Sequence, residues 1–159
     1  NLSSGASMNN YSSIQLTQNN IDPADLFDAI FYFKVPSVTA VLFRFGIIDS
    51  NISGTPTDGI YFEKLSTDTT WFAVARASST ETRTNSSVTV AIDTWYKLRI
   101  RRIDASTIGY TVNSGTEITI TTNIPTAGLC VGIGIRTMEG VNKYIHIDYF
   151  DKFFRGLSR

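Results

Sequence analysis

The sequence predicts an all-β protein in which two antiparallel sheets stack as a sandwich, and three observations predict it. The apolar set is β-branched and aromatic, with 18 Ile and 9 Val against 8 Leu and with 19 aromatic residues beside them. Such side chains suit a pleated, half-buried surface. Strong helix formers are scarce: Glu and Lys number 4 and 5, while Thr, Ser and Asn together make up 46 of the 159 residues. Finally, alternation of period two recurs about ten times between turn residues, without the strand-helix-strand pattern of a parallel sheet. Uneven strand lengths and a mix of two-sided apolar and half-polar strands favour a sandwich over a closed barrel.

Residues 1–10 read as a Ser/Asn-rich linker, residues 11–155 as one β-sandwich domain and residues 156–159 as a loose end. Pro23 to Phe27 is a weak helical candidate, too short to matter. The first strand begins near Leu26 and sets Phe31, Phe33 and Val35 against Ile30, Tyr32 and Lys34. After Pro36-Ser37, Val41, Phe43, Phe45 and Ile47 alternate with Leu42, Arg44, Gly46 and Ile48. A breaker-rich loop, Asp49 to Gly59, leads into a strand ending at Leu65. From Trp71 to Ser78, Trp71, Ala73 and Ala75 oppose Phe72, Val74 and Arg76, and the small residues imply close approach of another layer. Thr80 to Ser87 is polar enough for an edge and passes into Val88–Ile92. Tyr96, Leu98 and Ile100 alternate with Lys97, Arg99 and Arg101, a half-buried strand with a solvated cationic face. Ile108, Tyr110 and Val112 precede Asn113-Ser-Gly115, and Glu117 to Thr121 follows, which together read as a hairpin. Leu129, Val131, Ile133 and Ile135 then alternate with Cys130, Gly132 and Gly134. The last strand, Lys143 to Phe154, puts Ile145, Ile147 and Tyr149 on one side and Tyr144, His146, Asp148 and Phe150 on the other. Being apolar on both faces, it is expected to be central.

Composition narrows the function. With 14 basic and 14 acidic residues and 18% charged side chains, the chain lacks the cationic footprint that binds nucleic acid. No apolar run reaches the roughly 18 residues of a membrane-spanning helix, so membrane insertion is not expected. The single Cys130 sits in an apolar run and reads as a buried, inert thiol. Asn-x-Ser sequons at Asn1, Asn10, Asn51 and Asn85 are too common in so Ser-rich a chain to carry weight. His146 and Asp148 share a face but have no further His or Cys to complete a transition-metal set. Asp49, Asn51 and Asp58 offer hard oxygens of the kind calcium takes, and a solvated turn accounts for them equally well. Gly132 and Gly134 lie inside a strand and form no phosphate loop.

Five stretches follow one another in a recognisable order: Trp95-Tyr-Lys-Leu-Arg-Ile-Arg101, Tyr110 to Gly115, Ile120 to Pro125, Leu129 to Arg136, and Ile145-His-Ile-Asp-Tyr-Phe150. The "W-x-x-L-x-I" and closing "I-x-I-D-x-F" strands resemble the second half of a concanavalin A-like lectin/glucanase jelly roll. Arg44-Phe-Gly-Ile47 and Asp58 to Lys64 are similar to stretches in tail-fibre, neck or head-decoration proteins of tailed bacteriophages. Together the likeness covers residues 40–155. It implies a domain on the virion surface, often on a trimeric fibre, that displays a surface for a cell-surface glycan or polysaccharide. Together with the absence of a catalytic set, it leads to the expectation of a non-enzymatic homotrimer with no cofactor. A purely structural capsid or fibre domain, joined through Tyr149, Phe150, Phe153 and Phe154, is one alternative; a glycoside hydrolase or a carbohydrate-binding module of a bacterial enzyme is another.

Retaining hydrolases of this fold carry Glu-x-Asp-x-x-Glu, because nucleophile and acid/base must lie about 5 Å apart. None of Glu63, Glu81, Glu117 and Glu139 has an acid at those spacings, and Asp148 and Asp151 fall on opposite strand faces unless a bulge intervenes. No catalytic residue is therefore assigned. Sugar recognition rests on an aromatic platform ringed by polar groups. Trp71, Tyr61, Glu63, Arg76 and Arg44, on neighbouring strands, are the candidates, although Trp71 and Tyr61 read equally as ordinary core aromatics.

Overall fold

Alternating apolar residues must be covered on one side, and two such sheets cover each other. The computed structural model describes residues 1–15, 21–49 and 54–154. Its strands are β1 (Leu2–Ser3), β2 (Tyr11–Gln15), β3 (Phe27–Val35), β4 (Val41–Ile48), β5 (Gly59–Lys64), β6 (Thr70–Ala77), β7 (Thr80–Thr89), β8 (Thr94–Asp104), β9 (Thr107–Val112), β10 (Ile118–Ile120), β11 (Cys130–Thr137) and β12 (Tyr144–Phe154). They form two six-stranded sheets in the orders β1-β12-β3-β8-β9-β10 and β2-β11-β4-β5-β6-β7. Every pairing is antiparallel. This is the sandwich expected from the sequence, and no helix forms among the described residues. Pro23 to Asp25 is a turn in which the Asp22 carboxylate accepts the Ala24 N–H at 2.8 Å.

The core lies between the sheets and is aromatic at its centre. Phe33 of β3 stacks on Phe45 of β4 with ring centroids 3.8 Å apart. Trp71 of β6 meets both edge-on, at 5.6 and 5.8 Å, and Tyr96 of β8 at 5.6 Å. Ala73 and Ala75, on the same inner face as Trp71, leave room for this cluster. Two tyrosines tie backbone across the sandwich. Tyr110 Oη donates to the Val74 carbonyl at 2.7 Å, linking the sheets. Tyr96 Oη donates to the Thr89 carbonyl and accepts the Ala91 N–H. Burial pushes the Tyr110 hydroxyl well above the usual phenol range, so it keeps the proton it donates.

Three expectations change. Residues 1–10 are not a bare linker: Leu2 and Ser3 pair with Ile145 and Tyr144, and Ser4 bonds the Lys143 backbone in both directions. The last strand is not central, since only the two-residue β1 lies outside it. Its aromatics are half exposed as a result, with Tyr144 at 42% and Tyr149 at 45%. Its alternation also breaks at a bulge between Ile147 and Tyr149. The extra residue reverses the parity, so Tyr149 faces outward beside Tyr32 while Phe150 lies against core Phe31. Residues 156–159 lie outside the described residues, as do the side chains of Phe153 and Phe154.

The cationic face of β8 is ion-paired rather than merely solvated. Arg99 holds buried Asp28 through both carboxylate oxygens, and Arg101 grips Glu117 with two bonds of 2.6 Å. The Arg101 hydrogen bonds hold the Glu117 carboxyl below its usual range. A lowered folded-state pKa adds stability above the unfolded pKa, about 4.3, and that stability drains away as pH falls through the folded value. Glu117→Gln should therefore flatten the acid limb of a urea-midpoint-against-pH curve below about pH 5, by lowering the neutral midpoint modestly while leaving the midpoint in acid nearly unchanged. For the core, Trp71→Ala should cost about 3–5 kcal/mol in denaturant unfolding, and Trp95→Ala much less.

Candidate functional site

The sheet registers arrange the outer face of the second sheet in rows. One row runs Ser13, Gly134, Arg44, Glu63, Phe72, Asn85, and the next runs Gln15, Gly132, Gly46, Tyr61, Val74, Arg83. Four of the five residues expected to bind carbohydrate share this face: Arg44, Tyr61, Glu63 and Arg76. Trp71 does not. It is 0% exposed and belongs to the inter-sheet core, so it offers a ligand no surface. Period-two parity carried this signal, because Trp71 and Arg76 are an odd number of residues apart on one strand. The outward aromatic of β6 is its neighbour Phe72.

At the centre of the face Glu63 is clamped between two guanidiniums. Arg44 donates Nε to Glu63 Oε2 at 2.7 Å and brings Nη2 to the same oxygen at 2.7 Å. Arg83 reaches over β6 to Glu63 Oε1 at 3.2 Å, its guanidinium lying 3.4 Å above the Phe72 ring. Arg83 also donates to Asp68, whose carboxylate accepts the Leu65 N–H at 2.7 Å. Arg83, Phe72 and Asp68 were not singled out from the sequence, since their contacts depend on β7 folding back along β6.

The pair is deeply set, with Arg44 3% and Glu63 4% exposed. Tyr61 beside it is fully buried, and desolvation drives its hydroxyl far above the phenol range. The ring lies under Arg44, whose Cζ is 5.8 Å from its centroid. Gly46 makes this packing possible, because a Cβ there would fall 2.4 Å from Tyr61 Cβ. Arg76 is nearer the surface and pairs with Glu81 at 2.6 Å. With both oxygens of Glu63 occupied by guanidinium hydrogens, this face holds a structural charge ladder rather than a carboxylate poised for proton transfer.

The outer face of the first sheet carries the exposed aromatics. Tyr32 of β3 stacks on Trp95 of β8, with centroids 5.1 Å apart and planes 12° apart, and on Tyr149 of β12 at 5.5 Å and 29°. Trp95 is 42% exposed. Lys34 lies 6.0 Å from the Trp95 centroid and 3.7 Å from Asp93. Trp95 opens the W-x-x-L-x-I strand and is not among the five expected site residues, and Tyr149 reaches this face through the bulge alone.

The metal candidates do not converge. Asp49 accepts the Thr57 and Asp58 N–H groups at 3.1 and 3.2 Å, and Asp58 accepts that of Ser78 at 2.9 Å. These carboxylates brace the loop, while Asn51 lies outside the described residues. His146 Nδ1 is 2.6 Å from Asn1 Oδ1 and its ring packs edge-on to Tyr144. Among the described residues no group of three or more His, Cys, Asp or Glu side chains is gathered to hold a metal ion. Cys130 is buried, with Sγ donating to the Ile48 carbonyl at 3.2 Å.

A family model described as "SO2946-like, C-terminal domain" matches residues 1–148, and the chain belongs to that family. No curated protein matches the sequence. Among solved structures, the protein of unknown function SO2946 from Shewanella oneidensis MR-1 superposes with a TM-score of 0.69 at 18% identity, covering 96% of this chain and 66% of that one. This chain thus spans just under two thirds of that protein. The carbohydrate recognition domain of Emp46p, in its potassium-bound form, gives 0.69 at 10% identity over 95% and 81% of the two chains. The β-glucanase of Bacillus licheniformis gives 0.62 at 18% identity over 91% and 69%. The fold is the concanavalin A-like jelly roll shared by lectins and glucanases.

The charge ladder yields a stability test. Glu63→Leu alone removes the carboxylate that buried Arg44 shares with Arg83 and should cost about 3–5 kcal/mol, whereas Arg44→Met with Glu63→Leu should recover much of that loss. Denaturant midpoints of the two variants measure the difference.

Proposed function

We propose that this SO2946-like domain is a non-enzymatic carbohydrate-recognition module whose glycan contact is the aromatic surface Tyr149–Tyr32–Trp95. The observation that carries the reading is that trio: three offset-stacked rings on a lectin-like sheet, partly open to solvent and edged by Lys34 and Asp93. Offset rings leave free half-faces, and sugars place their axial C–H faces on such surfaces while polar neighbours take the hydroxyls. Locking Glu63 between Arg44 and Arg83 argues against glycoside hydrolysis at the opposite face, because a retaining or inverting mechanism needs one carboxyl free to give a proton and another free to attack or activate water.

The finer setting rests on the likeness of residues 44–47 and 58–64 to phage virion proteins: a homotrimer displayed on the virion surface that binds a host cell-surface polysaccharide. The edge of β12 beyond Ile145 has no described strand beside it, and an open edge suits contact between copies. Light scattering would then return three times the chain mass of 17.6 kDa, and a monomer would remove the trimer.

A glycan array with a parallel reducing-end assay tests the main reading. Binding without cleavage is expected. Trp95→Ala should weaken binding about tenfold, the loss of one aromatic contact of ~1.4 kcal/mol, while Trp71→Phe, if folded, should bind as the parent does. Release of reducing ends, or full affinity in folded Trp95→Ala, would defeat it.

A further inference from the structure

Arg102 is the last buried residue of β8, on the alternation that puts Leu98 and Ile100 inward. It is 7% exposed. Its Nε donates to the Asp104 carbonyl at 2.6 Å and its Nη2 to the Ala105 carbonyl, while Nη1 is buried with no hydrogen-bond partner. Arg44, Arg76, Arg83, Arg99 and Arg101 each meet a carboxylate; Arg102 forms no such pair among the described residues. Burial lowers its pKa, with the Asp104 and Asp22 carboxylates opposing that shift. A buried cation without a counter-charge is costly, and an orphaned buried donor adds to that cost.

The same arginine lines a pocket of about 300 Å³ whose walls come from three loops, with Asp22, Ser106, Thr121, Pro125 and Thr126 around it. That volume is at the small end of ordinary ligand pockets, about 300–1,000 Å³, and suits one sugar ring. Asp22 and Asp104 are the acidic groups near Arg102; both are exposed and so partly screened by water, and Asp22 lines the pocket itself. Ser106, Thr121 and Thr126 bring hydroxyl-bearing side chains to the lining, that of Ser106 donating to Asp104 Oδ1 at 3.1 Å, and Pro125 adds an apolar residue.

We propose that this pocket is a subsite for an acidic monosaccharide residue, a hexuronate, with its carboxylate taken by the Arg102 guanidinium. The inference rests on the carbohydrate-recognition reading but concerns a separate surface. Guanidinium-carboxylate hydrogen bonds are the strong, directional kind, and this one would supply the directly bonded carboxylate that Arg102 does not find among the described residues. An acidic polysaccharide chain would then be read at the pocket through its charge and at the aromatic trio through its ring faces.

The test is an amide NMR titration of the full chain with sodium glucuronate, glucose and sodium acetate at constant ionic strength. The proposal expects shifts at Ser106, Thr126 and the Arg102 side chain with glucuronate, with glucose and acetate about tenfold weaker or worse. Arg102→Gln should weaken glucuronate about tenfold. Because that variant removes a buried group and could unfold, Ala24→Trp, at an exposed rim position, serves as a second block that leaves the Arg102 bonds intact and should also abolish the shifts. Equal responses to glucose or to acetate would overturn the hexuronate assignment. Sugar shifts confined to the Trp95 face would overturn this subsite and leave the recognition module standing; no response to any sugar at either surface would count against both.

Discussion

Phe33 on Phe45, closed edge-on by Trp71 and Tyr96, is the contact on which the rest of the structure depends. It joins β3 and β8 of one sheet to β4 and β6 of the other. In a strand the choice of one inward residue fixes every other, because side chains alternate faces and a one-residue slip would turn the whole set over. Phe33 inward puts Tyr32 and Lys34 outward; Phe45 inward puts Arg44 outward; Trp71 inward puts Phe72 outward. Both outer faces therefore follow from a decision made in the core.

Those faces divide the work. The second sheet spends its outward positions on a desolvated ladder of Arg44, Glu63, Arg83 and Asp68, packed on Tyr61 and Phe72. Buried ion pairs add little net stability over apolar replacements, but each member of this one needs the others in register, which disfavours slipped pairings of β4, β5 and β7. The first sheet pairs its cations at Asp28 and Glu117 and leaves its aromatic trio open. A recognition surface and a locked charge network thus sit on opposite sides of one core.

The strands were legible because period-two alternation and turn residues are local. Ten of the twelve fall where alternation, polar edge character and turn residues place them, and the two missed, β1 and β2, are short segments whose pairing with β12 and β11 no local pattern records. The central position given to β12 failed for a related reason: apolar residues on both faces also occur where a strand near an edge carries surface aromatics. The bulge at Asp148 was invisible, since it needs the register with β3. Arg44, Tyr61, Glu63 and Arg76 were expected only on neighbouring strands, and the registers put them on one face. Trp71 was grouped with them by residue type against its own parity. Burial of Arg44 and Glu63, and the reach of Arg83 across Phe72, arise from tertiary packing alone.

The two tryptophans allow the central claim, that the core fixes which aromatics the surface can use, to be tested directly. Acrylamide quenching of single-tryptophan variants reads the exposure of each ring. With Trp95→Phe, the remaining Trp71 should emit at short wavelength and resist quenching in the folded state. With Trp71→Phe, the remaining Trp95 should emit at longer wavelength and quench several-fold more readily. A readily quenched Trp71, or a protected Trp95, would contradict the assignment of both sheets' faces and with it the site built upon them.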